Sequence, residues 1–168
     1  MMAGLLSEAM AQYHLNAGLA IRKTEALYWE NGVTAELSSD NLLNNQLVLQ
    51  GTYVSSRFGN AMFGNALSQD NLIFGARWIF SPEKKLRFDA GINTGLFVVD
   101  YNSDIFEDLP ATSTLLAIEA GIRYSLKPVE LRLSAGYNLK NGNGDNIPGT
   151  LFPVYYQFVV SYPFHWGE

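Results

Sequence analysis

The sequence predicts an all-β fold: a single eight-stranded, antiparallel, up-and-down transmembrane β-barrel. Three observations carry that prediction. Apolar and polar residues alternate with period two through eight runs, the signature of strands and not of helices. The connections after runs two, four and six are short and those after three, five and seven are long, with the link after run one intermediate. Because antiparallel strands put alternate connections at opposite ends, the short turns share one rim and the long loops the other. Aromatic residues on the apolar faces gather near the ends of the runs, as they do where a sheet meets two membrane interfaces.

Composition points the same way and excludes several functions. The 168 residues fit one domain. Hydrophobic residues make up 48% and charged residues 16%, against roughly 25% charged in ordinary soluble proteins. There is no cysteine, hence no disulfide framework and no thiolate chemistry. A net charge of -5 and a pI near 5.0 exclude the basic stripe of a nucleic-acid-binding protein. No segment approaches the ~20 consecutive apolar residues of a membrane helix, so any crossing of a bilayer must use strands.

Residues 1–11, MMAGLLSEAMA, lack a basic segment and a full apolar core. Ala9-Met10-Ala11 before Gln12 nevertheless matches a small-x-small cleavage site, so this stretch reads as a signal-peptide remnant or a disordered terminus. Residues 12–168 are then the barrel domain. Run one, to Arg22, sets Leu15, Ala17, Leu19 and Ile21 against His14, Asn16, Gly18, Ala20 and Arg22. Run two, residues 29–38, opposes Trp29, Val33, Ala35 and Leu37 to Glu30, Gly32, Thr34 and Glu36. An Asp- and Asn-rich turn over 39–45 leads to run three, residues 46–56, with Leu47, Leu49 and Tyr53 opposite a mixed face of Val48, Gln50, Thr52 and Val54.

Residues 57–70 read as a long loop containing two similar phrases, Phe58-Gly59-Asn60-Ala61 and Phe63-Gly64-Asn65-Ala66. Two copies of four residues do not make a repeat architecture. Run four, residues 71–81, opposes Leu72, Phe74, Ala76, Trp78 and Phe80 to Ile73, Gly75, Arg77 and Ile79, and ends in the tight turn Pro82-Glu83-Lys84-Lys85. Run five, residues 86–100, sets Phe88, Ala90, Ile92, Thr94, Leu96 and Val98 against Arg87, Asp89, Gly91, Asn93 and Gly95. After a long acidic connection, runs six and seven form a hairpin about Lys127-Pro128. Its apolar side is Leu116, Ile118, Ala120, Ile122, Tyr124 and Leu126 with Leu131, Leu133, Ala135, Tyr137 and Leu139. Its polar side holds Glu119, Arg123 and Arg132, which a hydrophobic core would not accept. The turn-rich stretch KNGNGDNIPG precedes run eight, residues 151–164, with Tyr156, Phe158, Val160, Tyr162 and Phe164 on one side.

On these features residues 12–164 resemble the small eight-stranded outer-membrane barrels of the OmpA/OmpX type, in flavour the outer-membrane β-barrel domain proteins of Bacteroidota. Outward Trp78, Phe80, Phe88, Tyr124, Tyr162 and Phe164 would form the belt at the short-turn rim, and Trp29, Tyr53, Tyr137 and Phe152 the other. Tyr162-Pro163-Phe164 resembles the aromatic pattern ending in Phe with which that family closes its last strand, although His165-Trp166-Gly167-Glu168 follow it here. The resemblance implies the outer membrane of a Gram-negative bacterium, short periplasmic turns and longer outer loops, a lipid environment, and handling by the outer-membrane assembly machinery. It implies architecture more than activity.

Eight strands leave an interior just wide enough for side chains. The lumen candidates are Arg22, Glu36, Arg77, Arg87, Asp89, Glu119, Arg123 and Arg132, together with Glu30, and buried charges have to be paired. Lipid A-modifying barrels use a Ser/His/carboxylate site within mutual hydrogen-bond reach. The two histidines here, His14 at the start of strand one and His165 in the tail, both belong to the short-turn end, so no enzyme is expected. There is no Cys/His metal spacing, and the acidic stretch with Asp100, Asp104, Glu107 and Asp108 lacks the pattern of a calcium loop, so no metal or cofactor is expected. Phe58, Met62 and Phe63 in one long loop and Ile105, Phe106 and Leu109 in another make a candidate protein-partner surface. The expected role is structural or interactive, with a subunit of a larger envelope complex as one form of it. The competing reading, a soluble lipocalin-like lipid-binding barrel, would turn Arg77, Asp89, Glu119, Arg123 and Arg132 outward and Phe74, Trp78, Ile118 and Leu133 inward.

Overall fold

A strand with one apolar and one polar face exposes a row of unpaired N–H and C=O groups until a neighbour covers it, and only closure removes the last open edge. The computed structural model, which describes residues 13–24, 28–39, 43–60, 64–101, 111–141 and 154–165, closes in this way. Its strands are β1 (Tyr13–Thr24), β2 (Tyr28–Ser39), β3 (Leu47–Asn60), β4 (Gly64–Phe80), β5 (Leu86–Tyr101), β6 (Thr112–Leu126), β7 (Val129–Asn141) and β8 (Val154–His165). They follow one another in chain order round a closed antiparallel barrel, and β8 returns to β1 with Val160 opposite Leu19. No α-helix occurs among the described residues, and no helix is long and apolar enough to cross a membrane.

Which face points inward is decided by burial, and the usual order is reversed. Arg77 and Arg123 are each 1% exposed, while Leu19 is 67% and Leu133 60% exposed. Phe74, Trp78 and Ile118 also lie outside, whereas Asp89, Glu119 and Arg132 are buried. These faces are opposite to those a soluble lipid-binding barrel requires, and that reading is set aside. The outside is a continuous apolar band, far larger than the patches soluble monomers expose. Its two edges carry aromatic rings under cationic tips: Lys23 Nζ lies 5.2 Å from the Trp29 ring centroid at one end, and Lys85 Nζ 5.1 Å from that of Tyr124 at the other. Near the first end Tyr53 also donates its hydroxyl to Asp70 at 2.9 Å.

Two features of the sequence reading are corrected. The long loop expected over 57–70 is mostly strand, because β3 and β4 continue past the expected boundaries and pair as far as Asn60 and Gly64. The similar phrases fold against each other, Gly59 opposite Asn65, with a register shift between Phe58 and Gly59. Gly, Asn and Ala composition imitates a loop, but β3 and β4 pair with each other through it, and from Leu67, opposite Tyr101, β4 is paired with β5 as well. Phe58 is therefore a strand residue. His165, expected in the tail, is the last residue of β8, opposite His14. Residues 1–12, Met62, Phe63, Ile105, Phe106, Leu109 and Phe152 lie outside the described residues, as does the side chain of Phe58.

At the other rim the described connecting residues are 43–46, 81–85 and the two-residue turn 127–128. The first contains the short 3-10 turn Leu43–Asn45, whose three residues all have positive φ of 53°, 54° and 58°. Asparagine tolerates this left-handed region, but leucine does so only when its surroundings hold it there.

Candidate functional site

Inward-facing positions repeat every second residue, so a closed barrel stacks the polar faces of all eight strands round one axis. The structure places Arg22, Glu36, Arg77, Arg87, Asp89, Glu119, Arg123 and Arg132 inside, with Glu30. It adds Glu130, also buried, which the sequence reading omitted. Glu130 has the same parity on β7 as Arg132 and Ser134, and that was the available signal.

The charges form one cluster in the half of the lumen nearest the short turns. Arg123 grips Glu36 with two guanidinium nitrogens at 2.7 and 2.8 Å, and donates to Asp89 and Glu130 at 2.9 Å each. Arg132 makes a second fork, to Asp89 at 2.6 and 2.9 Å, and reaches Glu119 at 2.6 Å. Arg87 donates to Glu130 and to Ser125 Oγ. Arg77 Nη2 lies 3.2 Å from Glu119 Oε1 but without hydrogen-bond alignment, so its contribution is chiefly coulombic. Planar forks meeting carboxylates from several strands are the geometry in which a buried charge is compensated.

Glu119 is the hub through which this cluster continues along the barrel. Its Oε2 accepts from Asn93 Nδ2 at 2.7 Å and from the Tyr155 hydroxyl at 2.9 Å. The Arg22 guanidinium stacks 3.7 Å from the Tyr155 ring centroid and pairs with Glu30 at 3.1 Å. Glu30 accepts from Asn71, and Asn71 from Gln69. Tyr155 can lie across the lumen because its cross-strand partner is Gly136, where a Cβ would fall 2.1 Å from the ring carbon Cζ.

Beside the upper end of this polar column lies an apolar region, with Val54 and Phe97 flanking Asn71 across the sheet. Val54, Ile73, Phe97, Val99 and Leu115 all point inward and form a buried apolar cluster, Val54 and Phe97 at 0% exposure. A uniformly polar interior would be the simple expectation for such a barrel, and the inward parity of Phe97 and Val99 on β5 was the overlooked sign. Among the described residues no group of His, Asp and Glu is placed to hold a metal ion. The two histidines meet across β1 and β8 at the short-turn rim, away from the hub at Glu119.

No protein-family model and no curated protein matches the chain. Solved structures do. The N-terminal β-barrel domain of OprF from Pseudomonas aeruginosa superposes with a TM-score of 0.62 at 16% identity, covering 92% of this chain and 100% of that one. The outer membrane protein OprG from the same organism gives 0.54 at 12% identity, over 92% and 96%. Neisserial surface protein A gives 0.53 at 16% identity, over 90% and 94%. The fold is that of the small eight-stranded barrels of the OmpA/OmpX kind.

Proposed function

From a fold shared with small outer-membrane barrels, we propose that this chain is a non-enzymatic outer-membrane barrel of a Gram-negative bacterium, a plugged membrane-spanning scaffold whose exposed rim meets a protein partner. The observation that carries this reading is the reversed burial: an apolar band faces out all round, and paired charges fill the inside. Water outside such a band would be unfavourable, whereas hydrocarbon is not, and strands of 12 to 17 residues are long enough to cross at a tilt. The paired charges act as a brace across the lumen, and the apolar cluster above them makes the barrel a stopper, not a pore.

The test is biochemical. Expressed without detergent the chain should aggregate; refolded in micelles it should give a strand-rich monomer that changes mobility on heating. A monodisperse, well-folded protein in plain buffer would overturn the membrane reading. Pull-down from native membranes, with the long-loop residues 102–110 deleted as the comparison, should recover a partner only with the intact chain. Equal recovery from both would remove that loop as the contact surface.

A further inference from the structure

The polar column stops short of the short-turn rim. There a cavity of about 480 Å³ opens between the ends of β1 and β8 and the connections that follow β2 and β6. Its wall carries Arg87, Lys127, Glu130, Ser125, Asn16 and Asn45. That volume lies within the roughly 300–1,000 Å³ of small-ligand pockets, which place a few convergent polar groups on an otherwise mixed lining.

Three features distinguish this cup from loose packing. First, Arg87 has 14% of its side chain exposed, against 6% or less for Arg22, Arg77, Arg123 and Arg132. It uses Nη2 for Ser125 and Glu130. Second, the balance of charge in the wall is positive. Among the described residues Glu130 is the one carboxylate there, and both its oxygens are already engaged, one by Arg87 and one by Arg123. Arg123 is matched from behind by Glu36 and Asp89. Lys127, exposed on its turn, faces no second carboxylate in the wall. Third, Asn45 reaches the wall from the left-handed stretch that begins at Leu43, and held backbone strain of this kind concentrates where a ligand is clamped.

We propose that this cup binds a phosphoryl headgroup. A tetrahedral oxyanion offers acceptor oxygens in several directions, which suits an arginine, a lysine, a hydroxyl and two side-chain amides converging from β1, β5, β6 and the two turns. Two sources present that chemistry: a soluble phosphomonoester, or the headgroup of an anionic phospholipid at the rim. The site does not depend on the partner-binding role above.

The experiment uses the full chain, ¹⁵N-labelled and refolded in an uncharged maltoside detergent. Glycerol 3-phosphate and inorganic phosphate are titrated at constant ionic strength against a sodium chloride control. A second arm compares phosphatidylcholine nanodiscs with and without phosphatidylglycerol. Saturable shifts are expected at the amides of Ser125, Lys127 and Glu130, and Arg87→Gln and Lys127→Gln should each weaken binding tenfold or more, while Lys84→Gln leaves it unchanged. Lys127 lies on an exposed turn, so its variant carries the comparison if Arg87→Gln does not fold. Saturation by glycerol 3-phosphate identifies a soluble ligand, and a response confined to phosphatidylglycerol discs a lipid headgroup. The absence of saturable shifts in both arms, or equal affinity in the cup variants and Lys84→Gln, would overturn the proposal.

Discussion

Glu119 receives hydrogen bonds or charge contacts from Arg132, Arg77, Asn93 and Tyr155, so its loss would take the nearest carboxylate from buried Arg77 and leave Arg132 with Asp89 alone. Breaking a buried ion pair from one side costs about 3–5 kcal/mol. Glu119→Ala should therefore lower the urea midpoint in micelles well below that of Glu83→Ala, whose carboxylate is on an exposed turn. Equal midpoints would mean that the hub is not a hub. The arginines are expected to differ among themselves. Arg132 holds Asp89 through a fork and Glu119 through a further bond, whereas Arg77 makes no aligned hydrogen bond. Arg132→Met should cost about 3–5 kcal/mol, in the range for a broken buried pair. Arg77→Met should cost about 1–3 kcal/mol, because Glu119 keeps its other donors. Equilibrium unfolding of the two variants gives the order, and a larger loss at Arg77 would contradict it.

At the level of elements, β7 and β8 meet where Gly136 leaves room for Tyr155 to cross the lumen and join the two polar groups. Gly136→Val should push the ring off Glu119 and destabilise the barrel by about 1–3 kcal/mol, as overpacking does. Adding Tyr155→Ala should recover part of that loss; a purely additive double variant would show that the ring is not the obstacle. The apolar cluster across β3, β4, β5 and β6 is the corresponding feature of the upper half. Phe97 is completely buried in it, and Phe97→Ala should cost about 3–5 kcal/mol. The extended β3–β4 hairpin predicts slow amide exchange at paired backbone positions that composition alone would assign to a loop, such as Leu67 opposite Phe58.

For the molecule as a whole, eight strands enclose an interior just wide enough for side chains, and paired charge and packed hydrocarbon both occupy it. Reconstituted protein should give no stable single-channel steps of nanosiemens size in planar bilayers. If the apolar cluster is the tighter seal, Phe97→Ala should raise the frequency of small conductance events more than Arg77→Met does. The reverse ranking would assign the seal to the charges.

Period two was enough to determine the strand class, the strand number and the face of nearly every residue, since a side chain on an extended backbone can point only one of two ways and its neighbours fix which. That is why Arg77, Asp89, Glu119, Arg123 and Arg132 could be assigned to the inside from the chain alone. Glu130 lies between the Lys127-Pro128 turn and Leu131, where the alternation is first legible, and Phe97 and Val99 are hidden in an otherwise polar face. The tertiary structure alone decided which arginine meets which carboxylate, because Arg123 and Glu36 are 87 residues apart and barrel closure brings them together. It also decided that the Gly- and Asn-rich stretch is a hairpin, since pairing between β3 and β4 outweighs local composition there. The cup beneath Arg123 belongs to the same class of fact: its wall is drawn from all eight strands and two turns, and no single segment of sequence contains it.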